Sequence, residues 1–148
     1  MRRLTRILAL PGSERRLLAE AAATLALARA LLALLPFATA MRLAGLRTRG
    51  VSIDPRATPA APATVARAVG AAVARVAPHL PFRAVCLQQA MACTIMLRRR
   101  GLPVSVHFGL AKDAAGGLDA HAWSVSGGAV ITGAPGRERF TPIAVFAA

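Results

Sequence analysis

The sequence predicts an α+β fold in which a helical first half leads into an antiparallel sheet. Three observations carry this. The chain up to residue 48 is rich in Ala, Leu and Arg, with apolar residues near helical spacing. A further helix opening at Cys86 runs into Arg98-Arg99-Arg100-Gly101, cations and a glycine that suit a helix C-terminus. Beyond it, short alternating apolar runs are separated by glycine-containing turns.

The elements follow in order. Ser13 is a candidate N-cap, with Glu14 placed in the first turn where a negative charge suits the helix dipole. Leu17, Leu18, Leu25, Leu32 and Leu35 then form an apolar stripe until Pro36 interrupts it, and a second short helix runs to Leu46. Residues 49–63 hold Gly50, Pro55, Pro59 and Pro62 among small residues and form a connector by composition. Ala63–Ala77 is helical again, with Val65, Val69, Val73 and Val76 on one face, and Pro78 and Pro81 end it. After the Cys86 helix, Val104, Val106, Phe108 and Leu110 alternate with small or polar residues, as in a half-buried strand. Lys112–Gly117 is a turn, Leu118–Ser126 a second strand, Gly127-Gly128 a hairpin turn, Ala129–Thr132 a third strand and Phe140–Phe146 a fourth. This divides the chain into an N-terminal helical subdomain with its connector, residues 1–62, and a core at residues 63–148.

The 148 residues suit one compact domain with an extension, and 55% hydrophobic residues are ample for a core. Nineteen cations, all but Lys112 arginine, against 6 acids give a formal charge of +13, which attracts acidic partners without choosing among them. Nucleic acid is the weakest of these partners: there is no tyrosine, one Trp and no recognisable binding motif. Cys86 and Cys93 are the two cysteines; seven residues of helix separate them by roughly 10 Å, too far for a disulfide. Free thiols indicate a reducing, cytoplasmic setting. Arg2, Arg3 and Arg6 precede an apolar run that stops at Pro11-Gly12, too short for a signal peptide. Leu17–Leu46 carries Glu20, Arg29, Pro36 and Arg42, so a membrane span is not expected; contact with a membrane surface is compatible with the sequence but not required.

Cys86 follows the proline-marked stretch Pro81-Phe-Arg-Ala-Val85. In the first turn of a helix a thiol faces unpaired N–H groups and the positive end of the dipole, which favour thiolate and offer an oxyanion hole. Cys93, mid-helix among Met91, Ala92, Ile95 and Met96, reads as packing. Of three histidines, His79 lies between prolines, His107 in the first strand, and His121 in Asp119-Ala-His-Ala-Trp123, where Trp123 shares its face. No paired metal-ligand spacing and no phosphate loop is present, so neither metal nor cofactor is expected.

The run from Cys86 through Arg98-Arg99-Arg100-Gly-Leu-Pro103, then His107-Phe-Gly109, then Ala120-His-Ala-Trp123, resembles the leader peptidases of lasso-peptide biosynthesis over residues 82–146. The resemblance implies a transglutaminase-like (papain-like) cysteine peptidase core, a helix packed on an antiparallel sheet, with Cys86 as nucleophile and His121 as base. It implies removal of the leader from a ribosomally made precursor peptide, delivered by a small leader-binding partner protein, with a separate cyclase acting on the freed core. The alternative it leaves is an inactive peptide-binding scaffold of the same complex. The family commonly carries an Asp about a dozen residues after the His to orient the ring. Gly133 falls there in this chain, so the third member is open between Asp119 and Thr132, with a backbone carbonyl as a further acceptor.

Overall fold

The computed structural model describes residues 9–50 and 63–148. Arg2, Arg3 and Arg6, and the connector prolines Pro55, Pro59 and Pro62, lie outside the described residues. The helices are α1 (Gly12–Leu34), α2 (Phe37–Leu43), α3 (Ala63–Val76) and α4 (Cys86–Arg98). The strands are β1 (Arg47–Thr48), β2 (Ser105–Lys112), β3 (Leu118–Ser126), β4 (Ala129–Thr132) and β5 (Thr141–Ala147). They form one antiparallel sheet in the order β1-β5-β2-β3-β4, an α+β architecture.

Local chemistry explains most boundaries. α1 starts one residue before the expected Ser13 cap: Pro11, at φ −52°, accepts the Arg15 N–H at 3.0 Å, and no side chain caps the end. Leu35 is extended, as steric pressure from the following proline requires, and Pro36 then stands as the N-cap of α2. α4 stops at Arg98, two residues short of the expected end. There the Leu102 N–H reaches back to Leu97 O at 3.0 Å, with Gly101 at φ +69°, and together these satisfy the helix's last carbonyls. Between Phe108 and Gly109 the β2–β5 register slips beside Pro142, which has no N–H to give to the ladder.

Two apolar clusters hold the layers together. In the first, Ala21 and Leu25 of α1 meet Ala66, Val69 and Val73 of α3 and Cys93, Met96 and Leu97 of α4. In the second, Ala28, Met41 and Leu46 pack with Ala90 and Met91 of α4 against Val106 and Ala122 of the sheet. Truncating a fully buried Met91 to Ala would cost about 2–5 kcal/mol. α3 approaches β4 closely because Gly70 has no side chain: a Cβ there would lie 2.5 Å from Ile131 O. Val65, expected on the apolar face of α3, is 41% exposed, whereas Val69 and Val73 are buried. Arg100 ties the end of α4 to α1, its guanidinium 2.6 Å from Glu20 Oε2, and the Glu20 carboxyl is held below its ordinary range mainly by that bond.

Candidate active site

The start of α4 places Cys86. Val85 is extended, and the first helical bond runs from Gln89 N–H to Val85 O at 3.1 Å. The N–H groups of Cys86, Leu87 and Gln88 precede that bond and have no acceptor within the helix. Two glutamines fix the approach: Gln88 Oε1 accepts the Val85 N–H at 3.3 Å, and Gln89 Nε2 donates to Ala84 O at 2.8 Å. The free Cys86 thiol is half-buried against the cluster that contains Phe108 and Ala122. A helix end of this kind can stabilise a thiolate and the oxyanion formed when it attacks a carbonyl.

Cys93 is placed very differently. It is fully buried, and burial pushes its thiol up to about 12, against the opposing hydrogen bond with Ser124. A thiol so rarely ionised is a packing group.

β3 places His121. Its Nε2 lies 2.8 Å from Gly133 O, and its ring is flanked by Trp123 (centroids 6.0 Å apart) and Phe140 (5.0 Å). A carbonyl only accepts, so a neutral His121 must carry its proton on Nε2, which leaves the basic lone pair on Nδ1. The Gly133 carbonyl thus occupies the ring-orienting position left open in the sequence. No hydrogen bond joins either sequence candidate for that role to the ring. Asp119 pairs with Arg139, and Thr132 Oγ1 is 2.7 Å from Ser124 Oγ.

The backbone at Gly133 explains why no carboxylate stands there. Its φ is +74°, and a Cβ would lie 2.6 Å from Ala122 O and 2.9 Å from Trp123 Cβ. Gly109 plays the complementary role across the β2–β3 pair, opposite His121. A Cβ at Gly109 would lie 2.8 Å from Phe140 Cβ and 3.0 Å from Trp123 Cζ3, so its absence lets both rings close around the imidazole. The sequence reading did not assign Gly109 or Phe140 to the site. A glycine inside an alternating strand was the signal for the first, since it marks close approach of another group. Phe140 carried no such signal.

His107 completes a row of rings on the same face. It stacks on Trp123 at 5.7 Å with planes 16° apart, and its Nε2 lies 3.0 Å from Ser105 Oγ. Burial, aided by Arg137, holds its pKa below the ordinary imidazole value.

Strand alternation decides how thiol and imidazole relate. Ala122 packs among α4 side chains and Ser124 partners Cys93, so these residues face the helical layer, and His121 and Trp123 face away from it. No hydrogen bond joins Cys86 to His121. Cys86 nonetheless packs against the cluster containing Ala122, the chain neighbour of His121. Among the described residues, no group of three or more His, Cys, Asp or Glu side chains is arranged to hold a metal ion.

A family model described as the transglutaminase-like superfamily matches residues 31–145, well over half of the chain. No curated protein and no solved structure matches it.

Proposed function

Because the chain belongs to the transglutaminase-like superfamily, we propose that it is a cysteine peptidase with Cys86 as nucleophile and His121 as base. The observation that carries this reading is the held imidazole: Gly133 O fixes the Nε2–H tautomer and leaves Nδ1 as the basic nitrogen. A thiol opening a helix supplies the matching half. The reading requires Sγ and Nδ1 to come within ~3–4 Å; with His121 facing away from the helical layer that carries Cys86, that contact takes a rearrangement at the start of α4 or in β3 when substrate binds.

In the proposed reaction Nδ1 takes the thiol proton as Sγ attacks the scissile carbonyl. The N–H groups at the start of α4 receive the oxyanion. Collapse breaks the C–N bond, the imidazolium protonates the departing amine, and the acyl group remains on sulfur as a thioester. Water, deprotonated by Nδ1, then releases the acid and restores the thiol.

The finer assignment rests on the motif resemblance across residues 82–146. On that reading the substrate is a lasso precursor peptide, the bond cut is the leader–core junction, and the amine released is the N-terminus used by the cyclase. The partners are the precursor, a small leader-binding protein and the cyclase, in the cytoplasm. A scaffold role is the second reading. It is favoured by the missing Cys86–His121 hydrogen bond and by a carbonyl standing where the family commonly has a carboxylate.

The test is mass spectrometry of a precursor from the same gene neighbourhood, incubated with its leader-binding partner and wild-type, Cys86→Ala or His121→Ala protein. Cleavage by wild type alone is expected. Equal cleavage by both variants would remove the Cys/His mechanism, and no cleavage by any protein would put the scaffold reading first.

A further inference from the structure

α1 buries only part of its apolar surface. It is long and apolar enough to cross a membrane by length and composition, with mean hydropathy 1.8, yet 22% of that window is buried in the fold. Leu27, Leu31 and Leu34 recur at helical spacing along one side of it. Leu27, Leu31, Leu43 of α2 and Ile95 of α4 line a shallow groove of about 290 Å³ with Arg98 and Arg99. Leu34 is 80% exposed and Leu43, at the edge of that groove, 61% exposed, so both side chains protrude from the surface. Arg42 is also exposed on α2.

We propose that this face rests on a membrane surface containing anionic lipid. The leucines would enter the boundary between headgroups and acyl chains, with Arg42, Arg98 and Arg99 against lipid phosphates. Charge complementarity selects this occupant. Arginine supplies all of the charged groups lining the groove, and the nearby Glu20 is already held by Arg100 at 2.6 Å and Arg99 at 3.6 Å. A second copy would bring arginines from both chains together with no acid among the groove residues to receive them. A spanning α1 would have to withdraw Ala21, Thr24, Leu25 and Ala28 from the core and break the Glu20–Arg100 pair. Resting on the surface keeps both, and uses the apolar side that the fold leaves open. The inference does not depend on the peptidase reading.

The experiment is co-sedimentation of the full-length protein with phosphatidylcholine vesicles, with and without phosphatidylglycerol. Wild type should pellet only with the anionic vesicles and be released by salt and by alkaline carbonate. Leu34→Gln/Leu43→Gln should abolish pelleting. Arg42→Gln/Arg99→Gln should weaken it by about 25-fold, taking about fivefold per surface cation. Circular dichroism checks that each variant is folded; if the leucine pair is not, Leu34→Gln alone at the most exposed position takes its place. No pelleting of wild type, or pelleting unchanged in both folded variants, would overturn the proposal. Carbonate-resistant binding would show a span instead. A dimer by light scattering that the leucine pair makes monomeric would assign the face to a second copy.

Discussion

Replacing Gly133 by Ala tests how the imidazole is held, and Gly128→Ala provides an internal control. Both glycines have positive φ, +74° and +78°, so each substitution carries the left-handed cost of about 1–2 kcal/mol. Their surroundings differ. A Cβ at Gly128 meets nothing within 4 Å, whereas one at Gly133 meets Ala122 O at 2.6 Å and Trp123 Cβ at 2.9 Å. The Gly133 backbone must therefore retreat by several tenths of an ångström, adding an overpacking cost of about 1–3 kcal/mol. The same retreat stretches the 2.8 Å bond to His121, worth about 0.5–1.5 kcal/mol more.

Urea unfolding of the two variants should differ by about 2 kcal/mol or more, Gly133→Ala being the weaker, with the slope unchanged. Nitrogen NMR of His121 gives the second readout: Nε2–H should dominate in wild type and in Gly128→Ala, and lose its dominance in Gly133→Ala. Equal stability losses, or an unchanged tautomer in Gly133→Ala, would show that the carbonyl does not hold the ring.

The two thiols should separate under a thiol-specific reagent at pH 8. Cys93, with its pKa raised from 9.0 to about 12, should carry roughly 1,000-fold less thiolate than an ordinary cysteine and be labelled only on unfolding, whereas Cys86 is labelled in the native protein. The same burial makes the fold sensitive to alkali. The native state keeps a proton that the unfolded chain loses, so stability should fall by about 1.4 kcal/mol per pH unit from roughly pH 9 towards 12, and Cys93→Ala should flatten that slope. His107 acts at the other end. Its pKa lies below 6.5 in the fold, so its contribution is complete above that value and is lost as pH falls through the folded pKa; His107→Gln should reduce the acid loss measured by thermal melts. Asp119→Asn should change stability by less than about 1 kcal/mol, because the Asp119–Arg139 pair is exposed to solvent.

The second half of the fold was largely legible because each element there announces itself. Leu118–Ser126 and Ala129–Thr132 lie where alternation and Gly127-Gly128 put them, and α4 opens at Cys86 as expected. β1 was not legible. Two residues, Arg47 and Thr48, carry no periodicity, and their strand character comes wholly from pairing with Ala147 and Phe146. Phe140, expected to open the last strand, instead turns onto His121, and β5 begins at Thr141. Cys86 and His121 stood out by residue type and local setting. The group that holds the ring did not, because a backbone carbonyl is present at every position and only the folded path of residues 132–140 selects Gly133. Asp119 and Thr132 were the side chains able to accept a hydrogen bond nearby, and each found another partner, Arg139 and Ser124.

The central claim is that Cys86 and His121 act as one unit, and the alkylation rate of Cys86 measures this with no substrate or partner present. Native protein and folded His121→Ala would be treated with iodoacetamide at neutral pH, and modification at Cys86 followed by mass spectrometry. The account expects the rate to fall at least about tenfold without the imidazole, a conservative share of what a positioned base contributes. An unchanged rate would mean that His121 does not reach the thiol, and the peptidase mechanism would not stand.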